Sequence, residues 1–375
     1  MDLTWTEEEE AFRAEARAWL EANVPRGLPS GDTAPGFALH REWERELFDA
    51  RWAVVSWPRE YGGREATLFE WLIFEEEYHR AGGPQRVTQN GIFLLAPTLF
   101  EFGTQEQKDS ILPRMAAAED LWCQGWSEPD AGSDLAAIKS MAVRDDSGAG
   151  WRLTGQKTWT TRGAFCTHLF GLFRTDPSAE RHRGLTYFLV PLAAEGVTVR
   201  GFGRLDGDEG FAEVFLEDAL VPEGAVLGEV DRGWEVAMDT AGSERELTLR
   251  SPGRFQATAA RLVELWRERP DPGLRDEVVR AWMDAEAYQL HTLQTVTRLA
   301  GGGRAGPEAS LTKLFWSELD VRLHETALRL LGPEAELDGP WSKGFQFALA
   351  GPIYAGTNEI QRNVVAERVL GLPRR

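Results

Sequence analysis

The chain of 375 residues is 42% hydrophobic and 27% charged, an ordinary globular balance, and is long enough for two or three packed units. Its net charge of -19 at pH 7 excludes nucleic acid and anionic membranes as partners, because either requires a basic face. Two cysteines without redox or metal spacing (Cys123, Cys166) and six scattered histidines exclude a metal centre and point to a reduced, cytoplasmic setting.

The opening decapeptide has no basic and apolar signal region, and no apolar run reaches transmembrane length. Thr6 followed by Glu9 reads as a capping box, with glutamates in the first turn where the helix dipole favours them. Phe12, Ala16 and Trp19 continue at helical spacing until Pro25. A loop rich in proline and glycine is expected to about residue 37, then a helix through Trp43, Leu47 and Phe48 that is interrupted over Trp57–Gly63.

From about residue 140 the period becomes extended. Short runs over 151–154, 168–173, 185–190, 197–200 and 213–216 are rich in β-branched and aromatic residues and predict a small sandwich or barrel. Gly201-Phe202-Gly203 lacks the third glycine and the following helix of a Rossmann nucleotide site. Helical spacing returns after Gly233-Trp234. Phe255, Ala259, Leu262 and Trp266 share one face, and Leu311, Phe315, Leu319, Leu323, Ala327 and Leu331 share another. Short breaks at 269–273 and 301–303 predict antiparallel helices in a bundle. Periodicity thus gives two helical regions around a β region.

One stretch, Trp122–Ala136, is built differently. Pro129 holds Glu128 out of helix, and Gly132 suits a tight turn or a close approach. Hydroxyls (Ser127, Ser133), carboxylates (Glu128, Asp134) and two indoles (Trp122, Trp126), read as a flat apolar wall, surround the turn. The residues fit a polar inter-domain loop, and they also fit a surface for a planar cofactor carrying phosphates.

The run Gly125–Asp134 resembles the flavin-binding signature of the acyl-CoA dehydrogenase family. Trp57–Gly63, Glu101–Lys108 with Leu112-Pro113, Gly155–Thr161 and Tyr354–Arg362 are similar to further motifs of that family, so the matches span nearly the whole chain. The resemblance implies an α+β fold: an N-terminal α-helical domain (1–120), a middle β-sandwich or barrel domain (121–228) and a C-terminal antiparallel four-helix bundle (229–375). It implies FAD as cofactor, touched by Gln124, Trp126, Ser127, Gly132 and Ser133. The Trp159 indole would stack on the flavin ring and Thr161 would contact its polar edge; alone, that block reads as a strand with a buried tryptophan. Thr357 and Glu359 would touch the cofactor from the final helix, where Gly356 permits a sharp turn and Thr357 or Asn358 serves as N-cap.

Many family members carry the catalytic glutamate directly before the Gly-Thr pair, where this chain has Ala355, which takes no proton. Part of the family places its base in a Glu-Arg pair on the helix after the β domain, and Ser243-Glu244-Arg245-Glu246 stands at the matching distance after Gly233-Trp234. The resemblance therefore implies Glu244 as the base, Arg245 as its support and the Ala355 backbone N–H as a donor to the thioester oxygen. The bland reading of the same run is a charged, solvated helix turn, which suits Glu246.

Two family motifs are missing. Trp266–Gly273 replaces an Arg-x-x-Phe-Gly stretch, and Leu330–Pro333 replaces Gln-x-x-Gly-Gly-x-Gly; in the family both grip the adenosine half of FAD in a neighbouring subunit. The expected function is α,β-dehydrogenation of a branched or bulky acyl-CoA with electrons passed to an electron-transfer flavoprotein, in a homo-oligomer (dimer or tetramer) or a heterotetramer with a sister chain. The alternatives are a non-catalytic or half-site subunit of a heteromeric dehydrogenase, and a flavin oxidase or monooxygenase on the same fold.

Overall fold

The computed structural model describes residues 3–245, 251–303 and 306–373, apart from the side chains of residues 243–245. The capping box forms: Thr6 Oγ1 accepts from the Glu9 N–H, and the Glu9 carboxylate accepts from the Thr6 N–H, opening α1 (Glu7–Asn23). The loop that follows is shorter than expected. Thr33 caps the Gly36 N–H and Pro35 sits in the first turn, so α2 (Ala34–Asp49) starts inside the segment whose proline and glycine read as loop. Capping boxes also open α3 (Leu68–Arg80) and α5 (Gln105–Ala116), with α4 (Ala96–Phe102) between them.

The chain divides into two compact units. The helical unit takes residues 1–26, 66–84 and 245–375 and holds α1, α3, α7 (Pro252–Glu268), α8 (Arg275–Ala300), α9 (Ala309–Leu331), α10 (Pro340–Ala348) and α11 (Asn358–Val364). Its core joins Phe255, Ala259 and Leu262 of the first face marked by helical spacing to Leu319, Leu323 and Ala327 of the second, and adds Ala281, Ala285, Tyr288 and Trp316, which that spacing does not mark. Leu311, read as the start of the second face, is 43% exposed. Helices α7 and α3 meet at backbone contact, since a Cβ on Gly253 would lie 2.8 Å from the Glu75 carbonyl oxygen.

The sheet unit takes residues 27–65 and 85–244 and holds α2, α4, α5, the strands, and α6 (Gly233–Arg245) up to Glu244. Among the described residues the strands are β1 (Trp122–Gly125), β2 (Met141–Arg144), β3 (Gly150–Thr161), β4 (His168–Arg174), β5 (Leu185–Pro191), β6 (Val197–Phe202), β7 (Phe211–Pro222) and β8 (Val226–Leu227). They pair in the order β6-β7-β3-β2-β4-β5-β8, with β1 parallel to β4. Cys123, Ala142, Trp151, Leu153, Leu169, Phe173, Phe188, Val190, Val214 and Leu216 fill one core. The first four residues of the stretch read as a loop are therefore a strand, too short for its alternation to register. Among the described residues no helix is long and apolar enough to cross a membrane.

Within the helical unit, Glu77 joins α1 to α3. Its carboxylate accepts from Arg13 (3.1 Å), Arg17 (2.8 Å) and Arg80 (2.8 Å) and its side chain is 1% exposed. Burial pushes this carboxyl up, but hydrogen bonds from Arg17, Arg80 and Arg13 outweigh it and hold the pKa at about 2. A depressed folded-state pKa stabilises the protein above the unfolded value, and that contribution is lost as pH falls towards the folded value. Glu77→Gln should therefore lower stability at pH 7, and the penalty should shrink between pH about 4.3 and about 2. Urea unfolding of both proteins across that range checks this; a pH-independent difference would contradict it.

Candidate active site

In the sheet unit the site is built around a bulge. Strand β3 pairs with β7 through Lys157↔Val214 and then Thr160↔Ala212, so β3 carries one extra residue. Trp159 takes up the extra length at φ +58°, a conformation that costs a non-glycine residue on the order of 1–3 kcal/mol. Lys157 and Thr160 stay fully buried, and the Trp159 indole is turned outward, 61% exposed. The strand with a buried tryptophan is thereby overturned.

The loop after β1 is fixed to that bulge from below. Glu128 and Ala131 exchange backbone hydrogen bonds of 2.8 and 3.0 Å in a tight turn, and the Thr158 N–H donates to the Ser127 carbonyl at 2.9 Å. The Lys157 Nζ donates to Glu128 Oε1 and to the Leu172 carbonyl, both at 2.8 Å, with side-chain exposures of 0% for the lysine and 8% for the glutamate. Glu128 also accepts from the backbone N–H groups of Lys139 (2.6 Å) and Ser140 (2.9 Å). Burial works to raise the Glu128 carboxyl, but the Lys157 charge and these donors hold it below the usual carboxylate range. Burial pushes the Lys157 ammonium down.

The expected cofactor contacts sort clearly. Ser133 is exposed, and Ser127 and Thr161 are half-buried. Gly132 is exposed, and a Cβ there would meet no atom of the described residues within 4 Å, so the space beside it is open. Trp122 and Trp126 do not form the expected flat wall: they are 4% and 9% exposed, one stacked on His168 and the other edge-on to Tyr187. The reason is that Trp122 lies on β1 beside β4, where His168 covers it, and Trp126 follows that strand directly and packs against Tyr187 of β5. Trp159 is the indole that faces out. Gln124 Nε2 and Trp126 Nε1 are buried donors without a partner among the described residues. Unpaired buried donors, a glycine with open space and an exposed indole are what a flavin with its carbonyl and phosphate acceptors requires, so the residues fit FAD.

Helix α6 is held at its start by Gly233, where a Cβ would come 2.5 Å from the Thr186 carbonyl carbon, and by Asp231, which accepts from Thr175 Oγ1 at 2.6 Å. Val236, Ala237 and Thr240 are buried, and Thr240 Oγ1 bonds Thr98 Oγ1 at 2.8 Å. Glu244 lies in the last turn of this helix, four residues beyond Thr240; its side chain and that of Arg245 lie outside the described residues.

In the helical unit, Ala355 (φ +57°) and Gly356 (φ +79°) form a left-handed turn before α11. Thr357 is the N-cap and accepts from the Ile360 N–H at 3.2 Å, so its hydroxyl serves the helix. Glu359 is exposed, and its own backbone N–H and the Thr357 hydroxyl hold its carboxyl below the usual range. Gln361, Lys313 and Ser317, which the sequence reading did not single out, hold this turn together with Asn358. Gln361 Nε2 donates to the Ala355 and Gly356 carbonyls (3.0 and 3.3 Å), and Asn358 Oδ1 accepts from the fully buried Lys313 (2.8 Å) and from Ser317 (3.1 Å). Lys313 interrupts the apolar face of α9, which was the available signal.

Family models for the N-terminal, middle and C-terminal domains of acyl-CoA dehydrogenases match residues 6–119, 123–219 and 231–370. The chain belongs to the acyl-CoA dehydrogenase family. It is an FAD-dependent oxidoreductase acting on CH–CH groups. It is 38% identical over 392 aligned positions to acyl-CoA dehydrogenase IpdE1 of Mycolicibacterium smegmatis, covering 98% of both chains. Among solved structures it resembles the Tcur3481-Tcur3483 steroid ACAD (TM-score 0.88, 27% identity, 100% of both chains). It also resembles the ChsE4-ChsE5 complex of Mycobacterium tuberculosis (TM-score 0.86, 28% identity, 100% of both chains).

The Glu128–Lys157 pair yields a prediction. Lys157→Met leaves the carboxylate buried without its cation and should cost about 3–5 kcal/mol. The double variant Lys157→Met/Glu128→Leu should recover most of that loss. Denaturant unfolding of the apoproteins measures both, and additive losses would show that the two charges do not act as a pair.

Proposed function

We propose that the protein removes the α-proton and the β-hydride from a bulky, cyclic acyl-CoA, with Glu244 as the base. The observation that carries this reading is the outward Trp159 indole near Thr161, on a bulge adjoining β1 and its loop, where the Gln124 and Trp126 donors have no partner among the described residues. It supports a flavin platform made from Gln124, Trp126, Ser127, Gly132, Ser133, Trp159 and Thr161 in the sheet unit; Thr357 and Glu359 are assigned to the cofactor by the family motif alone. FAD, when bound, supplies the acceptor for the hydride leaving the β-carbon.

The remaining chemistry belongs to the chain. Ala355 carries a methyl where a carboxylate would be needed, so the base comes from elsewhere, and Glu244 is the carboxylate at the family's alternative position. As it takes the α-proton, charge develops on the thioester oxygen. The Ala355 N–H has no acceptor among the described residues and is available for that oxygen. Arg245 supports the base. The steroid named for one structural neighbour supports a bulky acyl group.

The assembly reading follows from the neighbours that are two-chain complexes and from the absent adenosine-gripping motifs: the chain works in an oligomer, with itself or a sister chain, and passes electrons to an electron-transfer flavoprotein. Domain limits near residues 120 and 228 and a cytoplasmic setting, suited to the free Cys123 and Cys166, complete the proposal.

Glu244→Gln should slow flavin reduction by acyl-CoA in anaerobic stopped flow by about 10²–10⁴-fold. Near wild-type reduction would remove Glu244 from the base position. Flavin content of the chain purified alone separates the assemblies: a colourless protein that gains FAD only with a second chain identifies a half-site subunit.

A further inference from the structure

We infer that Phe202 and Phe211 are positioning residues that fix the plane of the Trp159 indole and thereby tune the flavin it faces. The inference rests on the reading of Trp159 as the flavin platform. An indole that is 61% exposed on a single bulged residue has little core packing to hold its rotamer. Here two aromatic rings supply the restraint. Phe202 meets Trp159 edge-on with centroids 5.3 Å apart at 78°, and Phe211 does so at 5.5 Å and 87°. The phenylalanines stack on each other at 5.9 Å and 28° and are register partners at the end of the β6–β7 hairpin. In an edge-to-face contact the positive edge of one ring meets the negative face of the other, so two such partners restrict the indole plane.

Neither phenylalanine is fully buried, and neither belongs to the core cluster of the sheet unit. Their packing is directed at Trp159 rather than at the core. The hairpin is itself tied to the chain beyond the bulge. Arg162, three residues after Trp159, donates through Nε to Asp32 Oδ1 at 2.6 Å and through its backbone N–H to the Gly210 carbonyl at 2.9 Å. Arg204 in the hairpin loop reaches Asp32 Oδ2 at 2.5 Å and Asp206 Oδ2 at 2.6 Å. The aromatic brace therefore stands on a buried ionic link, and its rings have little freedom to follow the indole if it moves.

The test uses Phe202→Leu and Phe211→Leu, which keep the strand positions apolar, with Phe202→Tyr as the conservative variant and Trp159→Phe as the control. In apoprotein labelled with 5-fluorotryptophan, the Trp159 resonance is assigned by its loss in Trp159→Phe. Each leucine variant should shift and narrow that line, while the tyrosine variant should leave it in place. In holoprotein the leucine variants should weaken FAD binding by about three- to tenfold, the factor that loss of one edge-to-face pair corresponds to. The flavin potential should move in the same variants, with the thermal midpoint near wild type. An unmoved fluorine line together with unchanged FAD affinity and potential in both leucine variants would overturn the brace while Trp159→Phe still alters the flavin. If Trp159→Phe itself leaves affinity and potential unchanged, the platform reading fails and the inference fails with it.

Discussion

The buried contact between Glu128 and Lys157 is the constraint on which the sheet unit's site depends. Two charges removed from water are tolerated only when each is fully engaged. Lys157 has the Glu128 carboxylate, the Leu172 carbonyl and the Phe173 face, with its Nζ 4.7 Å from the ring centroid. Glu128 has the lysine and two backbone donors. Apolar residues of equal volume would satisfy the core with less desolvation, so net stability does not account for the pair. Its effect is register: it pins the loop after β1 to one residue of β3, which sets where the bulge falls and which residue turns outward.

This explains why the turn within the stretch Trp122–Ala136 was legible in the sequence while the geometry around it was not. The pre-proline residue, the glycine and the hydroxyls are local signals, and each has a local structural consequence. The outward turn of Trp159 depends on β7, which is more than 50 residues along the chain, and no window around Trp159 contains that information. The misplaced wall has the same origin, since Trp122 is covered by His168 across the parallel β1–β4 pair and Trp126 by Tyr187, 61 residues on. The start of α2 failed for a different reason: Pro35 serves equally in a loop and in a first helical turn, and only the Thr33 cap decides between them.

The apolar faces of α7 and α9 were legible because helical packing repeats along the sequence. Their exceptions were not. Lys313 lies on a core-facing stripe, where a lysine reads as an interruption until Asn358, 45 residues on, provides its acceptor. Gln361 looks like an exposed helical residue, yet it is fully buried and donates its amide to the carbonyls of the preceding turn. The carboxylate missing at Ala355 was plain in the sequence. The turn at Ala355, whose N–H has no acceptor among the described residues, could be read only from the structure.

The two units reach a common solution. Each holds a non-glycine residue in the left-handed region, Trp159 at φ +58° and Ala355 at φ +57°, with a fully buried lysine close by in sequence in the first case and bonded to a nearby residue in the second. Lys157 is two residues before Trp159, and Lys313 holds Asn358, three residues after Ala355. A strained conformation persists when its surroundings over-determine it, and a buried cation with fixed acceptors has few alternative arrangements. The lysines therefore act through backbone shape: Lys157 sets the face of the indole, and Lys313 sets the direction of an N–H. The acceptor that explains each lysine lies 29 or 45 residues away in the chain, so neither buried charge has a local signal in the sequence.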